Sequence, residues 1–174
     1  MALQVGDTVP NFTCEAYVNG DIKKISLSDY HGKWVVLFFY PLDFTFVCPT
    51  ELTGFAKAEQ EFTKCNAVVL GASTDSAHSH KAWFSRDLSV VKYPVLADTN
   101  HRLSEMFNVL IRDQGIALRG TFIIDPDGVL KYQVVSALNI GRSITETIRV
   151  LQALQTGGLC PVDWHPGQDT LKPR

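Results

Sequence analysis

Trp34 to Tyr40 is the longest unbroken apolar run in the chain. It is far too short to span a bilayer and the right length for a strand buried on both faces. Ala67–Ser73 reads the same way. Between them, from Pro49 to about Cys65, the apolar positions switch to helical spacing. Leu52, Phe55, Ala56 and Phe62 share one face, and Lys57 and Glu61 stand four apart on the other, spaced to pair. Ser76 can cap a helix running to about Arg86. Pro94–Ala97 predicts a short strand and Asn100–Val109 a helix.

Turn chemistry fills in the rest. Residues 12–27 hold two strand-like pieces around Asn19-Gly20-Asp21, a hairpin signal. Leu118–Ile124 and Val129–Val135 flank Pro126-Asp127-Gly128, where Pro sets φ and Gly supplies a positive φ, so they predict an antiparallel hairpin. Ser143 and Glu146 have the spacing of a capping box, opening a last long helix that ends at Gly157-Gly158. The order predicts an α/β, thioredoxin-like fold: a central mixed sheet with flanking helices and an N-terminal β-hairpin. One domain covers residues 1–156, and a distinct C-terminal segment covers 157–174.

Composition narrows the function. The chain has 174 residues, enough for one substantial core, and a formal net charge of −2 without a basic block. Binding to nucleic acid or an acidic membrane has no electrostatic support. The N-terminus lacks a basic region followed by a long apolar stretch, so no signal peptide is expected and the chain should stay in the cytoplasm. Four cysteines, Cys14, Cys48, Cys65 and Cys160, could suggest a disulfide framework, but that suits small secreted chains. In a reducing compartment a disulfide would be transient and catalytic. No pair has C-x-x-C spacing, so neither a zinc site nor intrachain dithiol exchange between neighbours is expected. His78-x-His80 resembles a ligand pair but opens a helix expected to be solvated. No metal or other cofactor is expected.

Cys48 stands at the junction of the first core strand and the helix that follows. Unpaired N–H groups and the positive end of a helix dipole favour an anion there. Thiols so placed fall to pKa values of about 3.5–7.5, and thiolate is the reactive form. The bland alternative is a buried structural cysteine. Thr45 can cap the helix or hydrogen-bond a thiolate and its substrate. Pro41 can simply end the strand or also wall a pocket. Arg119, in the Arg119-Gly120-Thr121-Phe122-Ile123-Ile124 strand, can sit on a solvated face, or it can meet Cys48 and stabilise its thiolate. Arg142 can hold loops or a carboxylate such as Glu51. Glycines before Cys160 and prolines after it predict a non-helical, mobile thiol. Cys14 and Cys65 read as packing residues.

Phe44-Thr45-Phe46-Val47-Cys48-Pro49-Thr50-Glu51, with Pro41 before it and Arg119 in its strand, resembles the peroxidatic site of the typical two-cysteine peroxiredoxins. Cys160-Pro161 with Trp164 resembles their resolving segment. Ser73-Thr74-Asp75, Lys81-Ala82-Trp83 and Gly141-Arg142-Ser143 extend the likeness over nearly the whole chain. It is nearest in wording to the peroxidase subunit of bacterial alkyl hydroperoxide reductase. The resemblance implies a thiol-dependent peroxidase acting on hydrogen peroxide and organic hydroperoxides. Cys48 is then the peroxidatic cysteine, Pro41, Thr45 and Arg119 complete its pocket, and Glu51 and Arg142 support it. Cys160 of a partner subunit is the resolving cysteine, in a homodimer that assembles into a ring. An external dithiol, such as thioredoxin or a flavoprotein reductase, is the reductant. Neither the Gly-Gly-Leu-Gly insertion nor the Tyr-Phe helix of overoxidation-sensitive members is seen, which implies resistance to excess peroxide. A redox-regulated holdase chaperone is the alternative function, and catalytic turnover of peroxide discriminates the two.

Overall fold

Asn19 and Gly20 both take positive φ (46° and 98°), as a two-residue turn between twisted strands requires. They fold β1 (Thr13–Val18) onto β2 (Asp21–Ser26), the expected N-terminal hairpin. The computed structural model describes residues 2–173. The long apolar run becomes β3 (Trp34–Phe39), with Pro41 just past its end. The expected single helix is two, α1 (Cys48–Lys57) and α2 (Glu59–Lys64), broken at Ala58 (φ −90°, ψ 1°). The break removes the regular spacing of Lys57 and Glu61, and no ion pair between them is present among the described residues.

β4 (Ala67–Ser73), α3 (Ala77–Asp87) and β5 (Val95–Ala97) follow as expected, and Ser76 Oγ accepts the Ser79 N–H at 3.1 Å. The face of α3 formed by Ala77, His80, Trp83 and Phe84 is buried, so the start of this helix is not solvated as expected. α4 (Arg102–Met106) is shorter than the predicted 100–109. His101 and Asn108 bracket it with φ of 61° and 54°, which a right-handed helix cannot continue through. A hairpin of β6 (Leu110–Ile111) and β7 (Ile116–Ala117) escaped prediction, because two-residue strands carry no periodic signal. β8 (Arg119–Ile124) and β9 (Leu130–Ser136) form the predicted hairpin, and α5 (Ile144–Gln155) closes the domain. Only half of its capping box forms. Ser143 Oγ accepts the Glu146 N–H, but the Glu146 carboxylate turns to Arg149, which donates to it at 2.6 and 2.7 Å.

Seven strands make one mixed sheet in the order β2-β1-β5-β4-β3-β8-β9. β3 lies inside the sheet, parallel to β4 and antiparallel to β8. Its side chains alternate between two cores. Val36, Phe38 and Tyr40 pack under α1, α2, α3 and α5 with Leu52, Phe55, Phe62, Phe84 and Leu151. Val35, Leu37 and Phe39 face Leu103, Phe107, Phe122 and Leu130 on the other side. No helix among the described residues is long and apolar enough to cross a membrane.

The segment after α5 is more ordered than its glycines and prolines predict. Gly157 (φ 64°) ends the helix. Leu159 then pairs with Leu171, and Trp164 is buried. Arg149 Nη1 donates to the Trp164 carbonyl at 2.8 Å, and Trp164 Nε1 to the Gln168 carbonyl at 3.0 Å.

Candidate active site

β3 ends at Phe39, and an irregular loop carries the chain from there into α1 at Cys48. Cys48 is the first residue of that helix, with Pro49 next, where a missing N–H costs nothing. The Cys48 side chain is fully buried. No side chain among the described residues caps the helix: the preceding residue is Val47, and the Thr45 hydroxyl instead donates to the Leu42 carbonyl at 3.0 Å. The capping role left open for Thr45 is therefore not the one it takes. Pro41 is buried beside the same turn.

β8 brings the cation. Its register against β3 pairs Phe38 with Thr121, so two further steps set Arg119 across from Tyr40, at the strand end that leads to Cys48. Arg119 is buried, not on a solvated face. Its Nη1 lies 3.5 Å from Cys48 Sγ and donates to Glu51 Oε2 at 2.6 Å, and its Nε donates to the Leu138 carbonyl at 2.8 Å. Glu51, one helical turn after Cys48, is the hub. Its Oε1 also accepts the Arg142 N–H and Nε at 2.9 and 2.8 Å, and its Oε2 accepts Arg142 Nη2 at 3.1 Å. Burial pushes the Glu51 carboxyl up, but the hydrogen bonds and charge of Arg142, with Arg119 adding, outweigh it and hold the group below its ordinary value.

Arg142 ties this hub to the sheet. It donates to the carbonyls of Phe39 and Gly120 at 2.6 and 2.9 Å and to Thr121 Oγ1 at 3.2 Å, and its guanidinium lies 5.0 Å from the centre of the Phe38 ring. Every one of its donors has an acceptor, so the side chain is rigid. It fixes Glu51, Glu51 fixes Arg119, and Arg119 faces the sulfur. The arrangement holds a buried sulfur between a helix N-terminus and a guanidinium, a setting suited to a thiolate and to charge developing on a bound oxygen.

Cys160 lies elsewhere. It borders a surface hollow with Trp34, Lys131, Ala153 and Leu154, next to the start of β3 rather than its end. Its thiol is half-buried, 3.4 Å from Thr156 Oγ1 and 3.6 Å from the Ala153 carbonyl. Cys14 and Cys65 touch neither site. Both are half-buried against the apolar cores, and burial, with the Asp98 charge adding, pushes the Cys14 thiol up to about 12.

The AhpC/TSA family model matches residues 5–133. The chain belongs to this family. Peroxiredoxin prdx-2 of Caenorhabditis elegans is 51% identical over 97% of this chain and 89% of its own length. Thioredoxin peroxidase of Echinococcus granulosus is 50% identical over 99% and 94%. The reduced 2-Cys peroxiredoxin of Plasmodium vivax superposes with a TM-score of 0.94 at 36% identity, covering 98% of this chain and 93% of that one. The thioredoxin-like sheet and the reading of the chain as a peroxiredoxin, a thiol-dependent peroxidase, stand on these relatives as well as on the fold.

One part of the site escaped the sequence reading. Asp43, in the loop that carries Thr45, forms a largely buried polar cluster with Ser79, His80 and Asp75. Ala77, His80 and Phe84, at helical spacing, were the signal that His80 lies on a buried face.

Proposed function

We propose that Cys48 carries the peroxidase activity of this peroxiredoxin and that Cys160 of a second copy completes its cycle. The observation that carries the reading is the buried Cys48 sulfur at a helix N-terminus, 3.5 Å from Arg119, whose guanidinium Glu51 holds. The thiolate attacks one oxygen of a hydroperoxide, the S–O bond forms and the O–O bond breaks. The departing oxygen takes the electron pair and then a proton, leaving as water or an alcohol. Arg119 and the N–H groups of the first turn stabilise the developing charge, and Thr45 joins them when its hydroxyl turns from the Leu42 carbonyl to the substrate. Pro41 walls the pocket. Cys48 is left as a sulfenic acid. It condenses with a thiol, losing water to form a disulfide, and an external dithiol then returns both cysteines to thiols.

Two features support a partner's Cys160 as the resolving thiol. Within one chain Cys160 lies near the start of β3 and Cys48 beyond its end, and the five steps from Trp34 to Phe39 alone span about 17 Å. A disulfide needs Cα atoms within about 7 Å. The second feature is β9, an edge strand with Val134 and Val135 exposed, a ready template for antiparallel pairing with another copy. The exposed Phe46, Phe44 and Val90 give a second apolar face for assembly of dimers into a ring. Before condensation the first turn of α1 must unwind to release Cys48, a local opening. The segment from residue 157 onward is the carrier of the resolving thiol.

Steady-state consumption of hydrogen peroxide and an alkyl hydroperoxide, with a panel of dithiol proteins as reductants, tests the proposal. Turnover by the native chain and none by Cys48→Ser is expected. Near-normal turnover by the variant overturns the assignment.

A further inference from the structure

The loop from Pro41 to Val47 carries Thr45 and delivers Cys48, yet it has no helix or strand of its own. Asp43 fixes it. The Asp43 side chain is 1% exposed, and both of its oxygens accept hydrogen bonds. Tyr40 Oη donates to Oδ1 at 2.7 Å, and Ser79 Oγ and His80 Nδ1 donate to Oδ2 at 2.8 and 2.7 Å. The Asp43 N–H donates in turn to Asp75 Oδ2 at 2.7 Å, which Ser73 Oγ also reaches at 3.2 Å. His80 is fully buried, and its Nε2 faces the Leu96 carbonyl at 3.2 Å. The loop is therefore pinned to the end of β3, to α3 and, through His80, to β5 by the Asp43 carboxylate, and to the end of β4 by the Asp75 carboxylate.

The next residue explains why pinning is needed. Phe44 stands at φ 57°, a conformation that a bulky L-residue adopts rarely and only when its surroundings impose it. Its ring is held by Trp83, 5.5 Å away between centroids, and by the Arg86 guanidinium at 5.3 Å. Phe44 lies directly between Asp43 and Thr45. Releasing Asp43 lets Phe44 relax, and Thr45 and the entry to α1 move with it. None of the polar side chains in this cluster is bonded to Cys48, Arg119, Glu51 or Arg142.

We propose that His80 is a positioning residue for the peroxide step, holding through Asp43 the loop conformation that places Thr45 and the first turn of α1. The proposal rests on Cys48 being the reacting thiol. Loss of His80 slows the first step alone. Attack on peroxide needs the pocket assembled, and a misplacement of about 1 Å can cost about 100-fold in rate. Condensation with Cys160 needs the first turn unwound, which a loosened loop assists.

Rapid mixing of pre-reduced protein with hydroperoxide separates the two phases. In His80→Leu the peroxide phase should slow at least about tenfold, with the disulfide phase unchanged or faster. His80→Asn places an amide N–H near the position of Nδ1 and keeps a donor on Asp43. It should return the peroxide phase to within about threefold of wild type, a rescue that loss of packing alone does not give. An unchanged peroxide phase in folded His80→Leu overturns the proposal, as does equal slowing of both phases or equal damage by Asn and Leu. If His80→Leu does not fold, Ser79→Ala removes another donor from the same Asp43 oxygen. A slowing of about threefold supports the proposal, and an unchanged rate overturns it. Cys48→Ser measured alongside keeps the questions apart. A surviving peroxide phase there defeats the assignment of Cys48, whereas a silent Cys48→Ser with an unaffected His80→Leu defeats only the role of His80.

Discussion

Truncating Arg119 to Ala removes the one side-chain donor among the described residues that reaches the Cys48 sulfur. Loss of a single preorganised donor to a developing anion costs about 2.7–4 kcal/mol, which is about 10²–10³ in rate. The fold should survive. Glu51 loses the Arg119 bond but keeps the Arg142 N–H, Nε and Nη2. The Leu138 carbonyl also loses its Arg119 donor. Each lost hydrogen bond to a charged group costs about 1.5–3 kcal/mol, so the two together stay below most of the typical domain stability of about 5–15 kcal/mol. The second-order rate constant for hydroperoxide, read by stopped-flow tryptophan fluorescence on pre-reduced protein, should fall by at least tenfold and by about 100-fold or more if Arg119 acts fully in the transition state. Circular dichroism should remain native. A folded variant whose rate constant stays within about threefold of wild type would refute the role given to Arg119.

Oxidised protein should run as a covalent dimer on a non-reducing denaturing gel, and Cys160→Ser should abolish the band while leaving the first peroxide turnover intact. A Cys48–Cys160 bridge mapped within one chain would contradict exchange between copies. Glu51 should contribute stability above the ordinary glutamate pKa of about 4.3, because its folded value is depressed, and lose that contribution as pH falls through the folded value. The gap in urea midpoint between wild type and Glu51→Gln should thus hold steady from neutral pH to about 5 and shrink at lower pH; a gap that widens on acidification would reverse the assigned sign. Cys14, with its thiol pushed up to about 12, should resist alkylation at pH 8 in the folded protein, and Cys14→Ser should retain most of the activity, as peptide mapping and turnover would reveal.

The strand-to-helix junction at Cys48 was legible because β3 is apolar throughout and Pro49 marks a first helical turn. Arg119 was visible only as a candidate. Its approach to Cys48 depends on the register of β8 against β3, which pairs residues 83 positions apart at Phe38 and Thr121 and leaves no local trace. Glu51 and Arg142, 91 residues apart, meet for the same reason. The buried cluster at Asp43 was missed because His80 was read by its polarity rather than by the Ala77, His80, Phe84 spacing. The order of the Cys160 segment was hidden by its glycines and prolines. Trp164, buried and bonded through its indole to the Gln168 carbonyl, anchors a stretch whose composition alone predicts mobility.

The central claim is that Cys48, alone of the four cysteines, reacts first with peroxide. Cys160→Ser protein, reduced, treated with one equivalent of hydroperoxide and trapped with dimedone, tests it most directly. Peptide mass mapping should find the adduct on Cys48, with Cys14 and Cys65 unmodified. An adduct on Cys14 or Cys65, or none at all, would contradict it.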